Sequence, residues 1–236
     1  MKVFILLLAS FLAVTNVKSQ NGFYVGLGAV YGGAIGSQKI ENAIGKPRIG
    51  GMIDAGYRIS TGQNMMLAAG FSFEVRHFGY SATERNDTLV LVDVMGNPAN
   101  IPTYYNAAID GKVSSGGLSL NLLGEYSLFK RSALIAGVYS TLFLAKNDLV
   151  HINIRIGEGG LLPDVDSAYS NRPNMRNFEH GIILGGKIYF SGDVSLGISG
   201  VRSFSGLYTT SDIKNSKGED IRFYSTYARL SLNWYF

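Results

Sequence analysis

The last fourteen residues, Phe223–Phe236, alternate between two chemistries and stop on an aromatic terminus. Tyr224, Thr226, Ala228, Leu230, Leu232, Trp234 and Phe236 fall on one parity; Phe223, Ser225, Tyr227, Arg229, Ser231, Asn233 and Tyr235 fall on the other. Successive side chains of a strand point to opposite faces, so one face is mostly apolar and the other mostly polar with a charge. Seven upstream segments alternate in the same way. A strand repeated like this, with an aromatic end, predicts a membrane-spanning β-barrel and disfavours a soluble sandwich.

Reading for period two gives eight strands: Phe23–Gly33, Arg48–Ser60, Met65–Ser81, Lys112–Leu128, Ser132–Lys146, Asn177–Phe190, Val194–Tyr208 and Ile221–Phe236. Most reach the roughly 9–11 residues that a tilted strand needs to cross a bilayer. Three connections are tight, at Thr61–Asn64, Phe129–Arg131 and Ser191–Asp193. Four are long, at Ala34–Pro47, Ala82–Gly111, Asn147–Arg176 and Thr209–Asp220. Long and short alternate without exception. The expectation is an all-β, eight-stranded antiparallel up-and-down transmembrane barrel with both termini periplasmic and the long loops outside.

Residues 1–19 read as a signal peptide: Lys2 is the positive region, Val3 to Val14 the apolar region, and Val17 and Ser19 precede a cut before Gln20. The segment is too short for a spanning helix. The expected organisation is therefore 1–19 signal peptide and 20–236 barrel, placed in the outer membrane of a Gram-negative cell envelope. Only 16% of residues are charged, against roughly 25% in an average soluble domain. Formal charge falls from +4 to +2 once Lys2 and Lys18 are removed, too little and too scattered for nucleic acid. The absence of cysteine excludes disulfides, thiolate metal sites and a cysteine nucleophile.

Parity assigns the faces. In the third strand Met65, Leu67, Ala69, Phe71, Phe73 and Val75 oppose Met66, Ala68, Gly70, Ser72, Glu74 and Arg76. Charges share a face with glycine and serine, and in a narrow barrel the crowded lumen is the place for small residues. The polar face is therefore read as the lumen, with lipid on the other. A soluble barrel of inverted faces is the alternative, because parity alone does not say which face is inside. The fifth strand fits least well, since Ile135 and Phe143 fall on the inner parity.

This face gathers Asp54, Glu74, Glu125 and Glu179 with Arg58, Arg76, Lys187 and Arg229. Charges enclosed in a small lumen must pair, because an isolated one loses several kcal/mol of hydration. Eight strands leave an interior wide enough for side chains alone, which favours an ion-pair plug over a selective or gated pore. In the loops, Thr88–Met95 is too apolar to be merely solvated and reads as a hairpin arm or a docking surface.

Side chains suited to catalysis or metal binding are few. His77, His151 and His180 show no metal-ligand spacing. Arg76–Ser81 resembles the lipid-facing His-x-Ser stretch of outer-membrane lipid A deacylases, but Gly79 occupies the serine position. Ser81 lies about 13 Å from His77 along an extended strand, beyond proton-transfer reach. The acidic loop residues Glu158, Asp164 and Asp166 match no calcium loop. No enzyme, cofactor or metal is expected.

The chain resembles the PorT-like outer-membrane β-barrel proteins, often grouped as porin-family. The likeness rests on Gly22-Phe-Tyr-Val-Gly-Leu-Gly28, Gly51-Met-Ile-Asp-Ala-Gly-Tyr-Arg58, the strand-turn-strand at Leu118–Tyr139, Gly185–Asp193 and Leu230-Ser-Leu-Asn-Trp-Tyr-Phe236. The layout is also similar to the OmpA transmembrane domain. The resemblance implies a structural or interaction barrel acting through its loops, with a subunit of type IX secretion as one alternative and a narrow solute channel as another. It also implies Trp234, Tyr235 and Phe236 as the signal read by barrel-assembly machinery. The other expected partners are outer-membrane lipids, lipopolysaccharide and an envelope protein.

Overall fold

The computed structural model describes residues 21–36, 43–86, 91–92, 98–99, 105–156, 165–170, 175–207 and 223–236. All of its elements are strands. They are β1 (Gly22–Gly36), β2 (Ala43–Ser60), β3 (Met65–Asn86), β4 (Leu91–Val92), β5 (Pro98–Ala99), β6 (Tyr105–Phe129), β7 (Ser132–Ile156), β8 (Val165–Ser170), β9 (Phe178–Tyr189), β10 (Val194–Ser203) and β11 (Phe223–Tyr235).

Eight of these close a ring in the order β1, β2, β3, β6, β7, β9, β10, β11, every neighbour antiparallel, with β11 pairing back onto β1. Closure leaves no edge in the ring, the condition for strands to span a bilayer. Register fixes its shape. A path from Phe23 runs through Tyr57, Ala69, Leu122, Val138, Ile182, Arg202 and Thr226, and returns to β1 at Gly33. The ladder thus slips ten residues, Phe23 to Gly33, in one circuit. Eight strands with that shear tilt about 40° and enclose only a side-chain-sized interior.

The faces divide by parity. On β3, Leu67, Ala69, Phe71 and Phe73 are exposed, while Met66, Ala68, Gly70, Ser72, Glu74 and Arg76 are buried. The exposed set recurs around the ring as Leu27, Ile53, Leu120, Val138, Leu184, Ile198 and Leu230. A closed barrel with apolar residues outside and charges inside is a membrane-spanning barrel; water would reverse that arrangement. Tyr57 and Phe23 meet edge-on at the turn side, ring centroids 5.5 Å apart, as in an interfacial aromatic girdle. Ile135 and Phe143 are buried inside, so the uneven fifth strand places apolar side chains in the lumen rather than breaking the barrel.

Strand ends depart from expectation on the loop side. β3 runs 22 residues and β6 and β7 25 each, about twice the length a bilayer needs. Residues 82–86, 105–111 and 147–156, expected as loop, therefore continue the sheet. β8 pairs beyond β7, His151 opposite Ala168. Polar and charged residues interrupt the apolar parity in these extensions, because there both faces leave the lipid. Leu91–Val92 pairs with Pro98–Ala99, a hairpin fragment of the apolar arm; residues 88–90 and 93–95 of that arm lie outside the described residues, as does the segment 1–20. A register shift in β2 between Pro47 and Gly51 leaves Arg48, on the inner parity by sequence, exposed. In β7, Gly116 and Gly117 of β6 face Ala145 and Phe143, so Leu144 is an extra residue that bends the strand.

Candidate functional site

The eight ionisable residues expected in the lumen lie on five strands. Seven of them are buried, and the eighth, Asp54, is half-buried. They separate into two layers.

The loop-side layer contains Glu74 and Arg76 from β3, Glu179 from β9 and Arg229 from β11. Arg76 Nε donates to Glu74 Oε2 at 2.9 Å and Nη1 to Glu179 Oε1 at 2.6 Å. Arg229 pairs with Glu74 from the opposite side. Hydroxyls complete the acceptors: Tyr139 donates to Glu179 at 2.8 Å, Ser225 to Glu179 at 2.5 Å and Ser72 to Glu74 at 3.1 Å. The Arg76 guanidinium also lies 4.3 Å from the Tyr227 ring centroid. Two acids and two bases are thus brought together, and each carboxylate oxygen accepts at least one hydrogen bond, as ions removed from water require.

The turn-side layer contains Glu125 from β6 and Lys187 from β9, joined as an ion pair. Tyr189 donates to Glu125 at 2.7 Å. Arg58 has no carboxylate partner among the described residues. Instead its guanidinium stacks 3.6 Å from the Tyr235 ring centroid and donates to the Tyr189 hydroxyl at 3.4 Å, a cation–π arrangement.

Between the layers is a cavity of about 40 Å³, lined by Asp54, Lys187, Arg229 and Asn233 among others. Asp54 forms no ion pair within 4.0 Å among the described residues. Its Oδ1 and that of Asn233 both crowd Gly26, where a Cβ would come within 2.0 and 2.3 Å of them. Apolar side chains fill the rest of the lumen. Val30, Met52, Tyr139, Ile183, Val201 and Tyr227 pack in one cluster, and Tyr24, Ala68, Ala133, Tyr189 and Tyr235 in another. On the loop side Phe78, Val113, Met175 and Leu207 form a buried cap. Met175 is held there by Lys146, whose Nζ donates to its carbonyl at 2.8 Å.

Parity identified which residues face inward, but nothing in it reported the aromatic partners of Arg58 or the cap residues Met175 and Leu207. Both cap residues lie where the alternation fades. Trp234 and Phe236 point outward and Tyr235 inward; Phe236 N donates to Phe23 O at 2.9 Å and ties the terminus to β1. On the outer wall, the residue opposite His77 is Ser114 of β6, not Ser81, and no hydrogen bond joins that pair. Glu158 and Asp164 lie outside the described residues, and Asp166 is in β8. No group of three or more metal-ligating side chains occurs among the described residues.

No protein-family model matches the chain, and no curated protein matches it in sequence. Solved structures resemble it. Neisserial surface protein A aligns over 91% of this chain and 97% of its own, at 13% identity and a TM-score of 0.40. The attachment invasion locus protein Ail of Yersinia pestis, in complex with the heparin analogue sucrose octasulfate, aligns over 92% and 99% at 8% identity and 0.36. The outer membrane protease OmpT from Escherichia coli aligns over 95% and 99% at 8% identity and 0.41. These are likenesses of fold alone. The last of them corrects one expectation: a protease has a similar barrel, so the absence of enzymatic activity does not follow from this architecture.

Proposed function

We propose that the chain is an integral outer-membrane barrel whose lumen is plugged and whose work is done on the loop side. The observation that carries this reading is the filled interior, where two layers of paired charge are separated by apolar clusters and a cavity of about 40 Å³. A space of that size holds a few water molecules and no continuous file of hydrated ions. Termini and tight turns at one end support a periplasmic placement of that end, with the extended strands outside. Outer-membrane lipids, lipopolysaccharide and, during insertion, barrel-assembly machinery are the partners this placement implies.

Single-channel recording in planar bilayers tests the plug. The expected record is flat at all voltages, and discrete openings of the unmodified chain overturn the reading. Heat-modifiable migration on a gel tests the closed barrel in the same preparation.

A second reading is favoured by the wall that β3, β6, β7 and β8 raise beyond the bilayer. A sheet extended on one side of a barrel offers a surface for an envelope protein, as a PorT-like subunit of a secretion machine requires. Affinity purification in mild detergent tests it: co-purification of an envelope protein that is lost when 88–95 is deleted supports it, and recovery of the barrel alone counts against it.

A further inference from the structure

Two features of the outer wall lie on the same strands. The first is a groove of about 520 Å³ over β11, β1, β2, β3 and β6, lined by Leu27, Ile53, Ala55, Phe71, Phe73 and Trp234. Ala55 presents only a methyl group between the longer side chains of Ile53 and Tyr57, which leaves a channel across the apolar band.

The second feature is a pair of lysines beyond the loop-side end of that groove. Lys46 on β2 and Lys112 on β6 both pair with Gly79 on β3, so they flank it on one face with Cα atoms about 10 Å apart. Gly79 itself is buried and puts no side chain between them. A Cβ there would press on Lys46 Cβ at 3.3 Å and on the Gly111 carbonyl at 3.1 Å. Gly79 lies six residues beyond Phe73 on β3, about 20 Å of strand. His77 and Ser114, paired in register and half-buried, occupy the rows between.

An apolar channel running toward two ammonium groups, on a wall that faces lipid, has the polarity of one lipid molecule. We propose that this face binds a membrane lipid whose headgroup carries a phosphomonoester. The phosphate sits between Lys46 and Lys112, and an acyl chain runs down β3 into the groove with its end directed toward Trp234. Lysine is a point-charge binder of phosphate. Lys46 already pairs with Asp110 at 2.6 Å, both side chains about half exposed. The ligand must therefore offer more charge than one carboxylate, which a phosphomonoester does at roughly −1.5 to −2. A zwitterionic headgroup brings its own cation into competition. The site rests on the membrane placement proposed above and needs neither the plug nor the loops.

Trp234 is the chain's single tryptophan, so its fluorescence reports the groove. The full chain is reconstituted in phosphatidylcholine vesicles doped with phosphatidic acid brominated near the chain ends. Quenching is expected at a mole fraction several-fold lower than brominated phosphatidylcholine requires. The preference falls to the phosphatidylcholine level in the Lys46→Ala, Lys112→Ala double variant. It strengthens in Asp110→Asn, which frees Lys46; a purely structural Lys46–Asp110 pair predicts no gain. Ala55→Phe, which fills the groove, removes the preference with both lysines intact. Equal quenching by the two lipids, or a preference that survives the double variant, overturns the site. Millimolar inorganic phosphate is expected to leave quenching unchanged, and full displacement by it overturns the assignment to a lipid. Each variant is checked for heat-modifiable migration. A barrel that migrates normally yet shows no preference refutes the lipid site and leaves the membrane placement standing.

Discussion

Arg76 Nη1 on β3 lies 2.6 Å from Glu179 Oε1 on β9, although those two strands share no backbone pairing and the residues are 103 positions apart. The contact crosses the lumen and joins opposite walls of the barrel. It shares Arg76 with Glu74, which Arg229 holds from a third strand. The four side chains therefore act as a crosspiece inside the ring, added to the nearest-neighbour ladders.

Removing the centre of that crosspiece should be costly. Arg76→Ala leaves Glu74 and Glu179 enclosed with half of their compensation gone, and breaking a buried pair in this way costs about 3–5 kcal/mol. The check is reversible urea unfolding in lipid vesicles. A loss under about 1 kcal/mol would mean that water reaches the carboxylates and that the layer is not a plug.

The turn-side pair supports a different comparison. Glu125→Gln leaves Lys187 buried beside Tyr235, and Lys187→Met leaves Glu125 with only the Tyr189 hydroxyl and the nearby Arg58. The double variant removes both charges together. Its loss should fall short of the sum of the single losses by about 1–3 kcal/mol, the coupling of groups in direct contact. Strict additivity in a double-mutant cycle would show that the pair contributes nothing in solution.

Glycine placement gives a packing prediction. Tyr24 lies across Gly56 and Gly70, where an added Cβ would come within 2.7 Å of Tyr24 Cε1 and 2.4 Å of its hydroxyl respectively. Gly70→Val displaces that ring and should cost about 1–3 kcal/mol through overpacking. Gly62 in the turn has open space around it, so Gly62→Ala should stay within about 0.5 kcal/mol. Similar losses at the two positions would show that the Tyr24 ring has room to move aside.

Much of this architecture was legible because period two reports faces. Glu74, Arg76, Glu125, Glu179, Lys187 and Arg229 alternate with exposed apolar residues, and all six are buried. Alternation carries no information about height along the barrel axis, which depends on shear and turn length. The sequence therefore grouped these charges on one face without dividing them into two layers, and gave no sign that Asp54 lies between the layers beside a cavity. The same limit hid Ser114 opposite His77, because spacing along one strand says nothing about which residue lies across from it on the next. The extension of β7 did leave a signal: Val150, Ile152, Ile154 and Ile156 alternate with Leu149, His151, Asn153 and Arg155. It was obscured because the polar parity there no longer continues a lumen.

The orientation of the two faces can itself be tested by depth. Val138 is outward and half exposed, at the middle of the apolar run from Leu134 to Leu144 on β7. Asn147 lies on the same strand beyond the bulge, opposite Ser114. If lipid covers this wall, Val138→Arg places a cation near the midplane and should cost about 2–4 kcal/mol, whereas Asn147→Arg near the interface should cost about 0–1 kcal/mol. A soluble barrel with this surface in water gives no such gradient, since an arginine on a wet strand face is nearly neutral at either height. Urea titrations of the two variants in vesicles measure the difference. Equal costs would reject lipid as the medium outside the barrel, whatever fills the inside.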